Sequence, residues 1–514
     1  MTQEQLTAVQ QKVKHVIVLM LENRSFDHML GASGITGTIA GTGVQGMIDG
    51  IDLKNPPYNL NTAGQRIYFS DDAPFILEQT DPGHEFHDVM VQLTGNPTPD
   101  YDRQTGVYPQ NLNNGGFVIN FEHQKKAPPD PTVVMRGFSP ARLPVLNQLA
   151  REFVVCDRWF SSLPGPTWPN RFFVHAATSG GLDHSPSLEE IAGADTFFGY
   201  HFDKGTIFRC LSEQRLNWAI YAGNHFPQSL ALRGVRSNDV YEFEDFKKDI
   251  QQPGFPAYTF IEPDYGHFLM GNYRFGNSQH PLDDVTGGER LTKEVYETVR
   301  ASPIWKETLL IITYDEHGGF FDHVIPPTTV APGDTKPYQK NNFNFQQLGV
   351  RVPAVIISPL IEKNLIDKRV YDHSSILATL EKLFDMGSLT DRDASANHFL
   401  DLITLDAPRD TPLTLVSAAD SHLPTVPPTS EQEIQAAPDE GVDSTLVGFV
   451  HVAKLRQMEV ATPDHRKTLR SSVPIGDSRS EALEYMKNVK EKTETVPGRS
   501  LLGRIENFFK RIFK

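Results

Sequence analysis

The chain alternates short, wholly apolar runs with amphipathic stretches and polar bursts. The run Val16 to Leu21, VIVLML, fits a strand buried on both faces of a parallel sheet. Further strands are expected at Phe153 to Cys156, Trp218 to Tyr221, Tyr258 to Ile261, Thr308 to Thr313 and Pro353 to Ser358. Helical patterns lie between them. Residues 3–13 lead into the first strand. Leu143, Leu146, Leu149 and Ala150 share one helical face, and Leu291, Val295 and Val299 recur at four-residue spacing. Residues 171–177 predict a helix with Pro169 in its first turn and Thr167 just ahead of it. Thr206 to Leu211 reads as another, and Ser374 as the cap of a helix lined by Ile376, Leu377, Leu380, Leu383 and Phe384. This alternation predicts an α/β fold with a largely parallel central sheet and helices on both faces.

The pattern fails in two places. Residues 31–135 are rich in Gly, Pro, Asn and Asp with poor periodicity, which predicts long loops forming one wall of a cleft. Residues 406–442 are rich in Pro, Ala, Thr, Ser and Asp and read as a linker without a core of its own. The expected organisation is therefore a main domain over 1–405, that linker, and a helical extension over 443–514, with two helices before residue 490. The last fifteen residues, SLLGRIENFFKRIFK, place Leu501, Ile505, Phe508 and Ile512 on one helical face beside Arg504, Lys510, Arg511 and Lys514. Residues 500–514 thus suit either an anionic membrane surface or docking on the body.

Composition narrows the classes. The 514 residues are 39% hydrophobic and 22% charged, the balance of a globular chain. A net charge of −16 argues against a nucleic-acid partner but not against a phosphorylated substrate, because a bound cation reverses the local field. Cys156 and Cys210 are the only cysteines, too few for a zinc–thiolate centre. The N-terminus, MTQEQLTAVQQKVK, has no secretory h-region, so the chain is expected to be cytoplasmic when made, with export by a signal-independent route open.

Chemistry clusters where apolar runs stop. Glu22-Asn23, Glu262-Pro263-Asp264 and Asp315-Glu316-His317 each follow a predicted strand. In a parallel sheet such ends share one edge, where ligands bind. Buried carboxylates gathered there repel one another unless a cation joins them. Asn23 and Ser25 can equally cap a following helix. DPGHEFHD carries His84, Glu85, His87 and Asp88, a set suited to a metal, a phosphate or simple solvation. Thr167 follows a Pro-rich turn, beside free amides and the positive end of a helix, placed to attack or bind phosphate or merely to cap.

Together, ENRSFDH after a strand, the turn GPTWPNR, and DEHGGFFDHVIPP after another strand resemble the bacterial phosphoesterase family of phospholipases C and acid phosphatases; NSQHP and VRVPAVIISP are similar too. The likeness covers residues 14–400 and implies an alkaline-phosphatase-like α/β/α sandwich with a smaller C-terminal extension. It implies a metal centre held by Glu22, Asn23, Thr167, Asp315 and Glu316, with Thr167 as nucleophile. His84, His280 and His323 become phosphate contacts or proton donors. Asp264 and His267, in EPDYGH, resemble a second-metal segment of more distant relatives, at shorter spacing. The resemblance favours zinc as the divalent metal, though oxygen and imidazole ligands also suit manganese or calcium. It implies a phospholipase C acting on phosphatidylcholine-type lipids, or alternatively a broad acid phosphatase.

Overall fold

The computed structural model describes residues 1–193, 195–266, 273–424, 444–470, 475 and 478–494. Among the described residues twelve strands are present: β1 (His15–Leu21), β2 (Thr36–Ile39), β3 (Gln45–Met47), β4 (Tyr58–Leu60), β5 (Arg66–Tyr68), β6 (Val154–Cys156), β7 (Trp218–Ala222), β8 (Val240–Glu242), β9 (Tyr258–Glu262), β10 (Thr308–Tyr314), β11 (Ala354–Ile357) and β12 (Leu365–Asp367). Ten form one sheet in the order β3-β2-β12-β6-β11-β10-β1-β9-β7-β8, and β4 and β5 pair separately. The α/β class and largely parallel sheet expected from the sequence are what the chain forms.

β11 departs from the parallel rhythm by running antiparallel to both β10 and β6. The chain leaves β10 at its carboxyl edge and stays there through the DEHGG segment. It therefore enters β11 from that edge and must run back.

β1 and β10 are buried almost throughout, so both sheet faces are covered. Two helix groups surround the sheet: Pro144–Glu152 with Val285–Arg300, and Thr167–Ala176 with Ile207–Glu213 and Ser374–Leu383. Thr167 is the first residue of its helix, not the residue before it, with Pro166 at the cap position. The extended conformation that proline imposes there suits a cap. Ser374 likewise lies inside its helix; the Asp372 carboxylate accepts from its backbone N–H at 3.1 Å.

The loops expected over 31–135 are partly a packed lobe. Helices Phe86–Thr94 and Phe117–Glu122 enclose a second hydrophobic cluster that includes Phe86, Leu93, Phe121, Phe320 and Phe321. These elements are too short for their periodicity to stand out.

Residues Leu446, Phe449, Val450, Ala453 and Met486 belong to the main core, not to a separate one. They lie on helices Ser444–Val460 and Arg479–Glu494, with Pro463–Arg470 between. Leu415, in the segment read as a linker, is buried in the same core. The amphipathic tail 500–514, residues 425–442 of the linker and His267 lie outside the described residues. No helix among the described residues is long and apolar enough to cross a membrane.

Candidate active site at the carboxyl edge of the sheet

The register of the central strands builds the site. β1 and β10 pair in parallel from His15↔Thr308 to Leu21↔Tyr314, so Glu22 and Asp315 are the next residues on neighbouring strands. Asn23 and Glu316 follow them. All four are buried. Asp315 Oδ1 accepts from the backbone N–H of Asn23 (3.0 Å) and of Glu316 (2.7 Å). Asn23 reaches this position with φ at 57°, a left-handed conformation that Asn tolerates better than most residues. Ser25 caps the one-turn helix Phe26–Met29, accepting from His28 N–H at 3.2 Å, so the ENRSFDH segment both caps and presents polar groups.

Gly318 closes the loop over this edge. A Cβ there would meet the Asn23 carbonyl oxygen at 2.1 Å, and the φ of 62° also favours glycine.

The helix Thr167–Ala176 reaches the same edge through Arg171. Its Nε donates to Asp315 Oδ2 at 3.0 Å, its Nη2 to the Leu21 carbonyl at 3.2 Å, and Nη2 lies 3.9 Å from Glu22 Oε1. Thr167 is buried one turn earlier on the same helix face. Burial raises the Glu22 carboxyl to about 7, against the opposing pull of Arg171 and with further upward push from Asp315. Asp315 is raised by burial as well, with Arg171 opposing.

Two imidazoles join them. Burial works against a charge on His84, but Glu316 and Asp81 outweigh it and raise its pKa to about 10. Its Nδ1 lies 2.9 Å from the Pro82 carbonyl, which leaves Nε2 for another partner. His280 is buried, stacked on Tyr273 at 3.7 Å, with Nε2 3.4 Å from Asp81. Gln92 links the His84 segment to the DEHGG loop: its Nε2 donates to Gly83 O (2.6 Å) and its Oε1 pairs with His317 Nε2 (2.7 Å).

His323 and Asp264 sit in other surroundings. His323 Nδ1 bonds Asp27 Oδ2 at 2.7 Å, and its Nε2 lies 3.3 Å from Asp49. Asp27, Asp322 and His323 are the one three-residue His/Asp/Glu set among the described residues with donor atoms all within 4.8 Å. That set is already neutralised from within. Arg351, fully buried, donates to Asp27 Oδ1 at 2.9 Å and to both Asp322 oxygens at 3.1 Å, so a cation there would displace existing bonds. Asp264 organises a loop, accepting from Gly266 N–H (2.9 Å) and Asn224 Nδ2 (3.3 Å). Glu262 stays within the sheet, where it accepts from Gln228 and Ser229 N–H and from the Tyr265 hydroxyl.

The edge around Glu22 has the opposite character. Glu22 Oε2, Asn23 Oδ1 and Glu316 Oε1 are buried and make no hydrogen bond among the described residues. Buried polar atoms are rarely left so. Carboxylate and carboxamide oxygens are the donors that a divalent cation takes, so these residues fit one.

Residues 13–387 match the model of the phosphoesterase family. The chain belongs to that family. It is 39% identical over 432 residues to non-specific phospholipase C6 of Arabidopsis thaliana, covering 80% of this chain and 76% of that protein. Non-specific phospholipase C3 of the same plant is 38% identical, with 78% and 76% covered. Phospholipase C B of Mycobacterium tuberculosis (strain ATCC 25618 / H37Rv) is 27% identical, with 72% and 73% covered. Among solved structures, an alkaline phosphatase superfamily protein from Vibrio parahaemolyticus is 14% identical with a TM-score of 0.31, covering 79% of this chain and 78% of its own. The phosphoesterase is thus a phosphoric ester hydrolase, and Glu22, Asn23, Thr167, Asp315 and Glu316 all lie inside the matched span.

His317, named in the sequence only as part of a polar burst, joins Arg171, Asp81 and His373, which the sequence did not single out; His373 Nε2 lies 2.6 Å from the Asp315 carbonyl. The first three stood inside quoted motifs. No local pattern marks His373; only the fold brings it to Asp315.

Proposed function

We propose that this phosphoesterase is a phospholipase C: it hydrolyses the glycerol-side phosphodiester of a phosphatidylcholine-type lipid through Thr167. The names of the relatives above, phospholipases C, support a phospholipid substrate. The observation that carries the site is the edge where Glu22, Asn23 and Glu316 hold buried, unpartnered oxygens beside the helix that begins at Thr167.

In this reading Glu22, Asn23, Asp315 and Glu316, with Thr167, hold a divalent metal, zinc being the choice that the family likeness favours. Such a cation, when bound, draws negative charge from the phosphoryl group and lowers the pKa of a neighbouring hydroxyl. The chain's own residues do the rest. Thr167 releases its hydroxyl proton to water, and its Oγ1 forms a bond to phosphorus as the bond to the glycerol oxygen breaks, which leaves a phosphorylated threonine bearing the head group. The amides at the start of its helix, with the helix dipole, favour the negative charge on the attacking and phosphoryl oxygens. Protonated His84 offers its Nε2–H to a phosphoryl oxygen. An imidazole protonates the departing glycerol oxygen; His280 is preferred over His323 because it acts electrostatically on Glu22. Water then attacks the phosphothreonine and releases the phosphorylated head group.

Thr167→Ala is the test, assayed on phosphatidylcholine vesicles and on a chromogenic phosphocholine ester, with and without chelator. The expected result is loss of both activities by about 10³-fold or more, with diacylglycerol and phosphocholine as wild-type products and reversible inhibition by chelator. Wild-type rates in the variant remove Thr167 from the chemistry. A wild-type enzyme that cleaves aryl phosphate monoesters but not the diester makes it an acid phosphatase.

A further inference from the structure

We infer that Arg171 is a positioning residue for the metal centre, an internal cation that fixes Glu22 and Asp315 as ligands from the sheet side. The inference rests on the reading of Glu22, Asn23, Asp315 and Glu316 as a metal site.

Three observations converge on Arg171. It is buried, and its guanidinium spans two neighbouring strand ends: Nε on Asp315, Nη2 on the Leu21 carbonyl and near Glu22. Its planar fork fixes direction as well as charge, which a lysine does not. It is also held from behind. Its guanidinium carbon lies 5.5 Å from the centre of the buried Tyr265 ring, whose hydroxyl donates to Glu262 at 2.7 Å. Phe172, His175, Gln228, Ser229, Phe260 and Glu262 enclose its flank. Finally, Arg171 leaves Glu22 Oε2 and Glu316 Oε1 unpartnered among the described residues, while both Asp315 oxygens already accept hydrogen bonds, Oδ2 from Arg171 itself. Asp315 Oδ1 already accepts two backbone N–H groups, so Arg171 completes the set that orients this carboxylate.

Without Arg171, two adjacent buried carboxylates lose the one cation that pairs with them among the described residues. They repel, and either turn apart or take up a proton that a metal must displace. Its own charge also repels an incoming cation, and the two effects oppose. Orientation dominates because the guanidinium is anchored on the sheet side and does not share the open oxygens. Removal of groups that orient metal ligands lowers affinity by roughly 10–100-fold.

The test uses the full-length protein stripped of metal, with Zn²⁺ and Mn²⁺ affinity read by competition against a chromophoric chelator. Arg171→Met is expected to lose about 10–100-fold in affinity and Arg171→Lys roughly 3–10-fold, since lysine keeps the charge without the fork. Near-ultraviolet circular dichroism checks the fold of each. Should Arg171→Met fail to fold, Arg171→Lys alone decides. Affinity equal to or above wild type in a folded variant overturns the inference and leaves the metal site standing. A wild-type protein that binds neither metal overturns both.

Discussion

The C-terminal helix Ser444–Val460 reaches the residue next to Thr167, and Gly448→Ala measures what that contact does. A Cβ at Gly448 would lie 2.1 Å from Trp168 Cε2 and 2.2 Å from Cζ2. Trp168 is fully buried, with Phe449 5.5 Å and Phe172 6.3 Å away between ring centres, so the indole has little room to yield. Two effects oppose. Alanine favours the helix over glycine by about 1 kcal/mol. Overpacking a dense core costs about 1–3 kcal/mol. The clash wins, because contact at 2.1 Å is far inside the carbon–carbon optimum of about 3.5–4.0 Å. The expected net loss is about 1–2 kcal/mol in urea unfolding. Catalysis should suffer more than stability. A displacement of about 1 Å passed from Trp168 to Thr167 can cost about 10²-fold in rate. A soluble chromogenic phosphocholine ester reads that loss without any contribution from lipid binding. Trp168→Phe removes Cζ2 and Nε1, so the double variant should recover part of the loss, giving coupling of about 1 kcal/mol or more. Wild-type rate and stability in Gly448→Ala, or strictly additive effects in the double variant, would refute the reasoning.

Three further outcomes follow from named contacts. Arg351→Met leaves Asp27 and Asp322 buried without their shared cation and should cost about 3–5 kcal/mol in urea unfolding; a loss under about 1 kcal/mol would sink the view of this cluster as a self-neutralised network. His323 is raised to about 10 because its bonds to Asp27 and Asp49 outweigh burial, so the stability of the pair is complete below the free-imidazole value and fades as pH rises through about 10. The stability gap between wild type and His323→Asn should therefore narrow from neutral pH to about pH 10.5, and a constant gap counts against the assignment. If His280 protonates the leaving alcohol, His280→Asn should slow phosphatidylcholine cleavage about 10²-fold or more but spare a nitrophenyl ester, whose leaving group needs no proton; equal losses on both substrates would remove it from that role.

The motifs around the site were legible because their chemistry is local and their order along the chain is strict. ENRSFDH, GPTWPNR and DEHGGFFDHV each follow or precede a predicted element, and the structure puts those elements at one edge. The lobe over 31–135 was not legible. Its helices are two turns or so, and its core draws Phe320 and Phe321 from two hundred residues away. His323 shows the limit in the other direction. Its motif was plain, yet the partners that hold it, Asp27 and Asp49, come from distant segments.

The amino-acid order alone determined which segments are buried strands, because residues apolar on every side cannot rest in water, and it determined that several of those strands end in charge. Only the tertiary structure decided which charges meet. β1 and β10 pair without a stagger, which puts Glu22 beside Asp315, whereas Glu262 falls short of the edge and is satisfied within the sheet. Strand register arises from contacts between segments hundreds of residues apart, and no window along the chain contains it.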